Sequence, residues 1–253
     1  MEILYICRLY LAVLYIVKMH YSFINTSVEV YNVKYSMKKV LSLIMVFVAA
    51  VMWSTPGFSG NAYVSGNIGL SWMNDVEFSS NWTDDSDGFT IGTGSGLAVS
   101  GAAGYDFGDY RTELELGYQT NDVESWQETD ENYTGSEYDS TGDISLVSVM
   151  VNGAYDICLG SDVELSPYAG IGAAFISFDD VSACFNYEDS YRDKTAASFA
   201  YQLGAALSLP ASDDIMVECR YRYFGTSDFS FDRPDAQADL SSHSAMLGMR
   251  VAL

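Results

Sequence analysis

From residue 63 to the end, the chain alternates between two kinds of text. One kind is a segment with apolar side chains at every second position, and the other is a polar connection. A period of two marks strands with one apolar face. The segments are YVSGNIGLSW (63–72), SGLAVSGAAGYDF (95–107), YRTELELGYQT (110–120), ISLVSVMVNGAYDI (144–157), VELSPYAGIGAAFISF (163–178), AASFAYQLGAALSL (196–209), IMVECRYRYFG (215–225) and SHSAMLGMRVAL (242–253). The connections between these eight strands run long, short, long, short, long, short, long. Short turns at one end, long loops at the other and an even strand count are the layout of an antiparallel up-and-down barrel crossing a membrane. Each segment has the roughly 9–11 residues that a tilted strand needs to cross. No stretch after residue 62 holds 18 consecutive apolar residues, so no transmembrane helix competes.

Composition narrows the function. A formal charge of −22, from 34 acidic and 12 basic residues, repels nucleic acid. The 19 tyrosines are too many for a disordered acidic chain. The four cysteines, Cys7, Cys158, Cys184 and Cys219, have no CxxC spacing, and the only histidines are His20 and His243. No metal or cofactor site is expected from that set.

The N-terminal region reads as processing sequence. In MKKVLSLIMVFVAAVMWSTPGFSGNA, residues 37–62, Lys38 and Lys39 precede an apolar run from Val40 to Trp53. Gly60 and Ala62 then fit the −3 and −1 positions of a cut before Tyr63, and a cut after Ser59 also fits. This is the pattern of a cleavable export signal. Residues 1–36 carry a short apolar core broken by Arg8, and read as a start-site artefact or an extra N-terminal segment. The functional domain is expected at 63–253.

Alternation assigns the faces. Thr112, Leu114, Leu116 and Tyr118 share one side of their strand, while Arg111, Glu113, Glu115 and Gln119 share the other. Likewise Ile215, Val217, Cys219, Tyr221 and Tyr223 oppose Glu218, Arg220 and Arg222. A soluble sandwich would bury the apolar face. Here the export signal and the turn-loop order assign that face to lipid. Aromatics near strand ends fit interfacial girdles: Trp72, Tyr118, Phe175, Phe199 and Tyr223 at the loop end, Tyr105, Phe107, Tyr110 and Tyr155 at the turn end. The inward charges are Arg111, Glu113, Glu115, Glu164, Glu218, Arg220, Arg222 and Arg250. An eight-strand lumen is just wide enough for side chains to fill, so these are expected to pair across it and leave no wide channel.

SGAAGYDFGDYRTELELGYQ, SPYAGIGAAF and AYQLGAALSL with CRYRYF resemble the small outer-membrane β-barrel family, which includes OmpA-like barrels, opacity-type adhesins and major surface antigens. The resemblance covers about residues 62–253. It implies a bacterial outer-membrane surface protein with a role in membrane integrity, adhesion or diffusion. The terminal Met249, Val251 and Leu253 resemble the C-terminal insertion signal that the barrel assembly machinery reads, with Leu253 in the place usually held by an aromatic residue.

The long loops hold 22 acidic residues against Arg192, Lys194 and Arg233. Trp126, Tyr133 and Tyr138 stand amid that acid as candidate contacts for a host or extracellular ligand. Divalent cations could bridge the carboxylates to lipopolysaccharide, but DDSD (84–87) lacks the spacing of a dedicated calcium loop. Asn81 and Asn132 begin glycosylation sequons that carry little meaning in such a protein. Cys158 falls in a turn and Cys184 in a loop, at opposite ends and too far apart for a disulfide. The function expected is a structural or adhesive surface barrel with no chemistry of its own. A porin-like diffusion channel is the alternative. A lipid-modifying enzyme built on Ser242-His243-Ser244 is disfavoured, because alternation points His243 outward and the serines inward.

Overall fold

The computed structural model describes residues 62–80, 88–130, 133–160, 163–179, 194–229 and 236–253. Residues 37–61 of the expected export signal, the segment upstream of them, Cys7, Cys184, the DDSD stretch and both sequon asparagines lie outside the described residues.

Among the described residues, twelve strands form one antiparallel sheet. They are β1 (Ala62–Met73), β2 (Val76–Ser80), β3 (Gly88–Asp106), β4 (Tyr110–Asp130), β5 (Tyr133–Asp139), β6 (Asp143–Tyr155), β7 (Ile157–Cys158), β8 (Glu164–Asp179), β9 (Lys194–Pro210), β10 (Ile215–Thr226), β11 (Ala236–Gln237) and β12 (Ser241–Ala252). Eight of them close a ring. β1 pairs with β3, β3 with β4, β4 with β6, β6 with β8, β8 with β9, β9 with β10, β10 with β12, and β12 returns to β1. Closure leaves these eight strands no free edge, the condition for β-structure in hydrocarbon. The seam is fastened at its end by the Leu253 N–H, which donates to the Ala62 carbonyl at 2.9 Å. The fold is the eight-stranded antiparallel up-and-down barrel that the sequence predicts.

The turn end is tight for local reasons. Between β3 and β4, Gly108 takes φ +102°, in the left-handed region where a side chain is strained. The Asp106 carboxylate accepts the Gly108 N–H at 2.7 Å, and the Phe107 N–H donates to Tyr110 O at 2.9 Å. After β9, the Ala211 N–H closes on the Ile215 carbonyl at 2.8 Å.

The loop end departs from expectation. Residues 73–94 and 121–143 are expected as loops, yet β3 begins at Gly88, β4 runs on to Asp130, and β5 pairs back on β4 (Trp126↔Tyr138). β2 joins them through Val76↔Ile91 and Phe78↔Phe89. These extensions carry acids, so they lack the apolar alternation of a lipid-facing strand. Ladder hydrogen bonds do not require that alternation, and the hairpin carries its register past the membrane. Irregularities between Gly92 and Gly96 re-aim the side chains there.

Outside, the wall is apolar. Ile68, Leu70, Leu114, Val151, Ile171, Leu203 and Leu247 are all exposed. A band of that extent is an aggregation surface in water and a normal surface in lipid. Rings flank it. Tyr105 packs on Phe107 and Tyr110 on Tyr155 at the turn end, with centroids 4.7 and 5.7 Å apart. Tyr201, Tyr223 and His243 meet at the loop end. Tyr118 differs from the other girdle residues in being largely covered, with its hydroxyl 3.4 Å from Ser145 Oγ.

Candidate functional site

The inner face has two layers of different chemistry. The layer nearer the turns is ionic. Alternation on β4 brings Arg111, Glu113, Glu115 and Gln119 inside, and alternation on β10 brings Glu218, Arg220 and Arg222 to meet them; all seven are buried. At the turn end Arg111 lies 3.0 Å from Glu164 and 3.2 Å from Asp156. Arg250 lies 2.7 Å from Glu164 and 3.5 Å from Glu218. In the middle, Arg220 reaches Glu115 at 3.2 Å, Glu218 at 3.4 Å and Glu113 at 3.7 Å. Its guanidinium also sits 4.9 Å from the centre of the Tyr168 ring. Arg222 lies 3.5 Å from Glu115 and donates to Gln119 and Ser244 at 3.4 Å. All eight inward charges named from the sequence therefore meet an opposite charge. Asp156, in the turn beyond β6, joins them unforeseen, and burial pushes its carboxyl up to about 6 against the pull of Ser166 and Arg111.

Amides and hydroxyls fill the remaining contacts. Gln202 donates to Asn152 at 2.6 Å, Asn152 to Glu115 at 3.2 Å, and Ser242 to Gln119 at 3.2 Å. Ser71 and Gln119 both donate to Asn121 Oδ1, at 2.9 and 3.0 Å. Two tyrosines cross bare glycines to reach this layer. Tyr63 lies over Gly104 of the next strand, and its hydroxyl donates to Glu113, one strand further, at 2.9 Å. Tyr168 lies over Gly204 towards Arg220. A methyl group at residue 104 would fall on the Tyr63 ring. Gly104→Ala is therefore expected to destabilise the fold by about 1–3 kcal/mol, read as a lower temperature of the folded-to-unfolded gel-mobility shift. Gly66→Ala, where a Cβ would meet nothing within 4 Å, is the matched control.

The layer nearer the loops is apolar, which the lipid-out, charge-in reading does not anticipate. Ile144, Leu146, Ile176 and Phe224 occupy inward positions and are at most 2% exposed. Val76, Ile91, Val123, Phe229 and Leu240 extend the same cluster towards the outer mouth. Phe78 stacks on Phe89 with centroids 4.5 Å apart and meets Phe178 edge-on at 6.0 Å. Trp126 packs partly buried against this cluster, and Tyr138 lies 5.9 Å from it, half exposed. So Trp126 holds the outer sheet to the barrel, while Tyr138 stays exposed. The side chain of Tyr133 lies outside the described residues.

The other candidates fall as follows. His243 faces outward and takes Tyr221 Oη at 2.7 Å from Nδ1, while Ser242 and Ser244 are buried inside. The backbone sheet thus separates the imidazole from both hydroxyls. Cys158 and Cys219 are free and exposed. Met249 is exposed, and Val251 and Leu253 are partly so. Among the described residues no group of three or more His, Cys, Asp or Glu gathers in a way that could hold a metal.

A closed eight-strand ring with a greasy exterior, two aromatic girdles and a charged interior defines a barrel of the bacterial outer membrane, displayed at the cell surface. The match to the surface antigen family model over residues 63–249 makes the assignment specific: the chain belongs to that family. It is 35% identical over 143 residues to major surface antigen 4 of Anaplasma marginale, covering 49% of each chain. The chain thus spans about half the length of that curated relative. Among solved structures it is similar to Neisserial surface protein A, with a TM-score of 0.48, 17% identity, and coverage of 76% of this chain and 97% of that one. It is also similar to the outer-membrane protein OprG of Pseudomonas aeruginosa, with a TM-score of 0.43, 14% identity, and coverage of 77% and 96%.

Proposed function

We propose that this surface barrel works as an adhesive or antigenic display platform, with its activity in the acidic outer sheet and none in the lumen. The observation that carries this is the division of charge. Four of the seven basic residues after residue 62, namely Arg111, Arg220, Arg222 and Arg250, are enclosed in the lumen with their carboxylate partners. The outward extensions keep Glu77, Asp122, Glu124, Glu137 and Asp139 exposed, with Tyr138 among them. A dense negative field on an ordered sheet favours a basic partner and speeds encounter with it. The outer sheet is ordered because Trp126, Phe78 and Phe89 tie it to the apolar layer. That same layer crosses the lumen, and so the geometry favours display over passive diffusion. The separation of His243 from the inward serines supports a non-enzymatic role.

Bacteria displaying the chain should adhere to cultured cells above a non-displaying strain. The variant Glu124→Gln, Glu137→Gln, Asp139→Asn should lose most of that excess, and added salt should mimic the loss. Equal adhesion with and without the chain would end this reading.

A further inference from the structure

We infer that the seal of this barrel is the apolar layer at its loop end, and that the ionic layer beneath it is wetted from the turn side. Two independent observations carry the inference. The first is the set of buried polar atoms in the ionic layer that reach no protein partner: Nε of Arg111, Arg220 and Arg222, Nη1 of Arg250, Tyr168 Oη and Gln202 Oε1. Buried donors and acceptors of this kind take water. An entry exists, because the side chain of Glu164 at the turn end is 21% exposed. Ion pairs that share space with water can exchange partners, and such a layer does not by itself stop water or small ions.

The second observation is the chemistry of the layer above. Ile144, Leu146, Ala174, Ile176, Ala200 and Phe224 come from β6, β8, β9 and β10, and each is at most 2% exposed. Their side chains offer water no hydrogen bond, and the polar groups opposite Ile144 and Leu146, Asn121 and Gln119, are engaged by each other and by Ser71 and Ser242. A narrow hydrophobic constriction blocks ions by excluding water. Leu240, Phe78 and Phe89 cover this layer from outside and couple it to the acidic sheet. The lumen is therefore a blind, wet well that opens to the turn side under a dry stopper.

The test is current through planar bilayers that hold the full chain, exported and processed in an outer membrane and extracted in detergent. The parent should show no resolved steps. Leu146→Ser with Ile176→Ser should give steps at least about tenfold above the parent's baseline. Ala174→Ser with Ala200→Ser adds two oxygens and little volume, and serves where the larger change does not assemble. Heat-shifted gel mobility confirms folding in each case. The ionic-layer variant Glu115→Gln with Arg222→Gln should stay silent, because the stopper is intact. Silence from folded stopper variants would overturn the inference. So would current from the folded ionic-layer variant or from the parent. None of these results bears on adhesion through the outer sheet.

Discussion

Arg220→Met is expected to cost about 3–5 kcal/mol, because it leaves buried carboxylates without their counter-charge. Among the described residues Arg220 is the one lumen cation within 4 Å of three glutamates, Glu113, Glu115 and Glu218. It also stacks on Tyr168. Methionine keeps much of the stem volume, so the loss is electrostatic and not a cavity. Arg222→Met removes a single ion pair, to Glu115 at 3.5 Å, and hydrogen bonds to neutral groups. It should cost less, about 1.5–3 kcal/mol. The ranking is read from guanidinium unfolding in detergent, followed by the mobility shift. Adding Glu113→Gln to Arg220→Met should recover part of the loss, since Glu113 pairs with Arg220 whereas Glu115 and Glu218 keep Arg222 and Arg250. A folded Arg220→Met protein within about 0.5 kcal/mol of the parent, the range of an ordinary surface change, would mean that the pairing does not hold the lumen together.

The fold was legible because its signals are local. Alternation of period two and a turn residue such as Gly108 each lie within a dozen neighbours, the short-long order of connections is counted directly along the chain, and together they specify strand number, order and facing. The pairing of Arg111 with Glu164, or of Arg250 with Glu218, could be expected in kind from mixed inward signs. Which partners meet depends on register and barrel tilt, which the sequence does not print. The apolar stopper was hidden for a different reason. In ISLVSVMV (144–151) both faces carry apolar residues, so alternation gives no hint that Ile144 and Leu146 look inward to meet Ile176 and Phe224 from other strands. Tyr63 over Gly104 and Tyr168 over Gly204 are likewise cross-strand facts. Residues 121–130 and 133–139 point in the opposite direction. Their acids suggest a loop, whereas pairing with β3 and the packing of Trp126 on the apolar layer make them sheet. Trp126 stands out by its chemistry, and its neighbours decide its use.

The sharpest test of facing is a charge placed on the wall. Leu247 lies midway along β12, opposite Ile68 of β1 and Cys219 of β10, and is 64% exposed. In a water-soluble sheet, Leu247→Arg at so open a position would change stability by no more than about 0.5 kcal/mol. In a barrel whose outer face meets hydrocarbon, the same change near mid-depth should cost about 2–4 kcal/mol. Leu159 supplies the control, because it is 56% exposed but lies beyond β7, in a turn outside the apolar band. Leu159→Arg should be nearly neutral in either environment. The two variants thus match in chemistry and in nominal exposure, and differ only in the medium that touches them. Unfolding in lipid vesicles, where hydrocarbon thickness is defined, separates them better than detergent. Equal and small effects at both positions would place water against Leu247 and turn the wall inside out. A large loss at Leu247 alone locates the hydrocarbon on the face that carries Ile68, Leu114 and Leu203, and so leaves the lumen as the place where Arg and Glu must find each other.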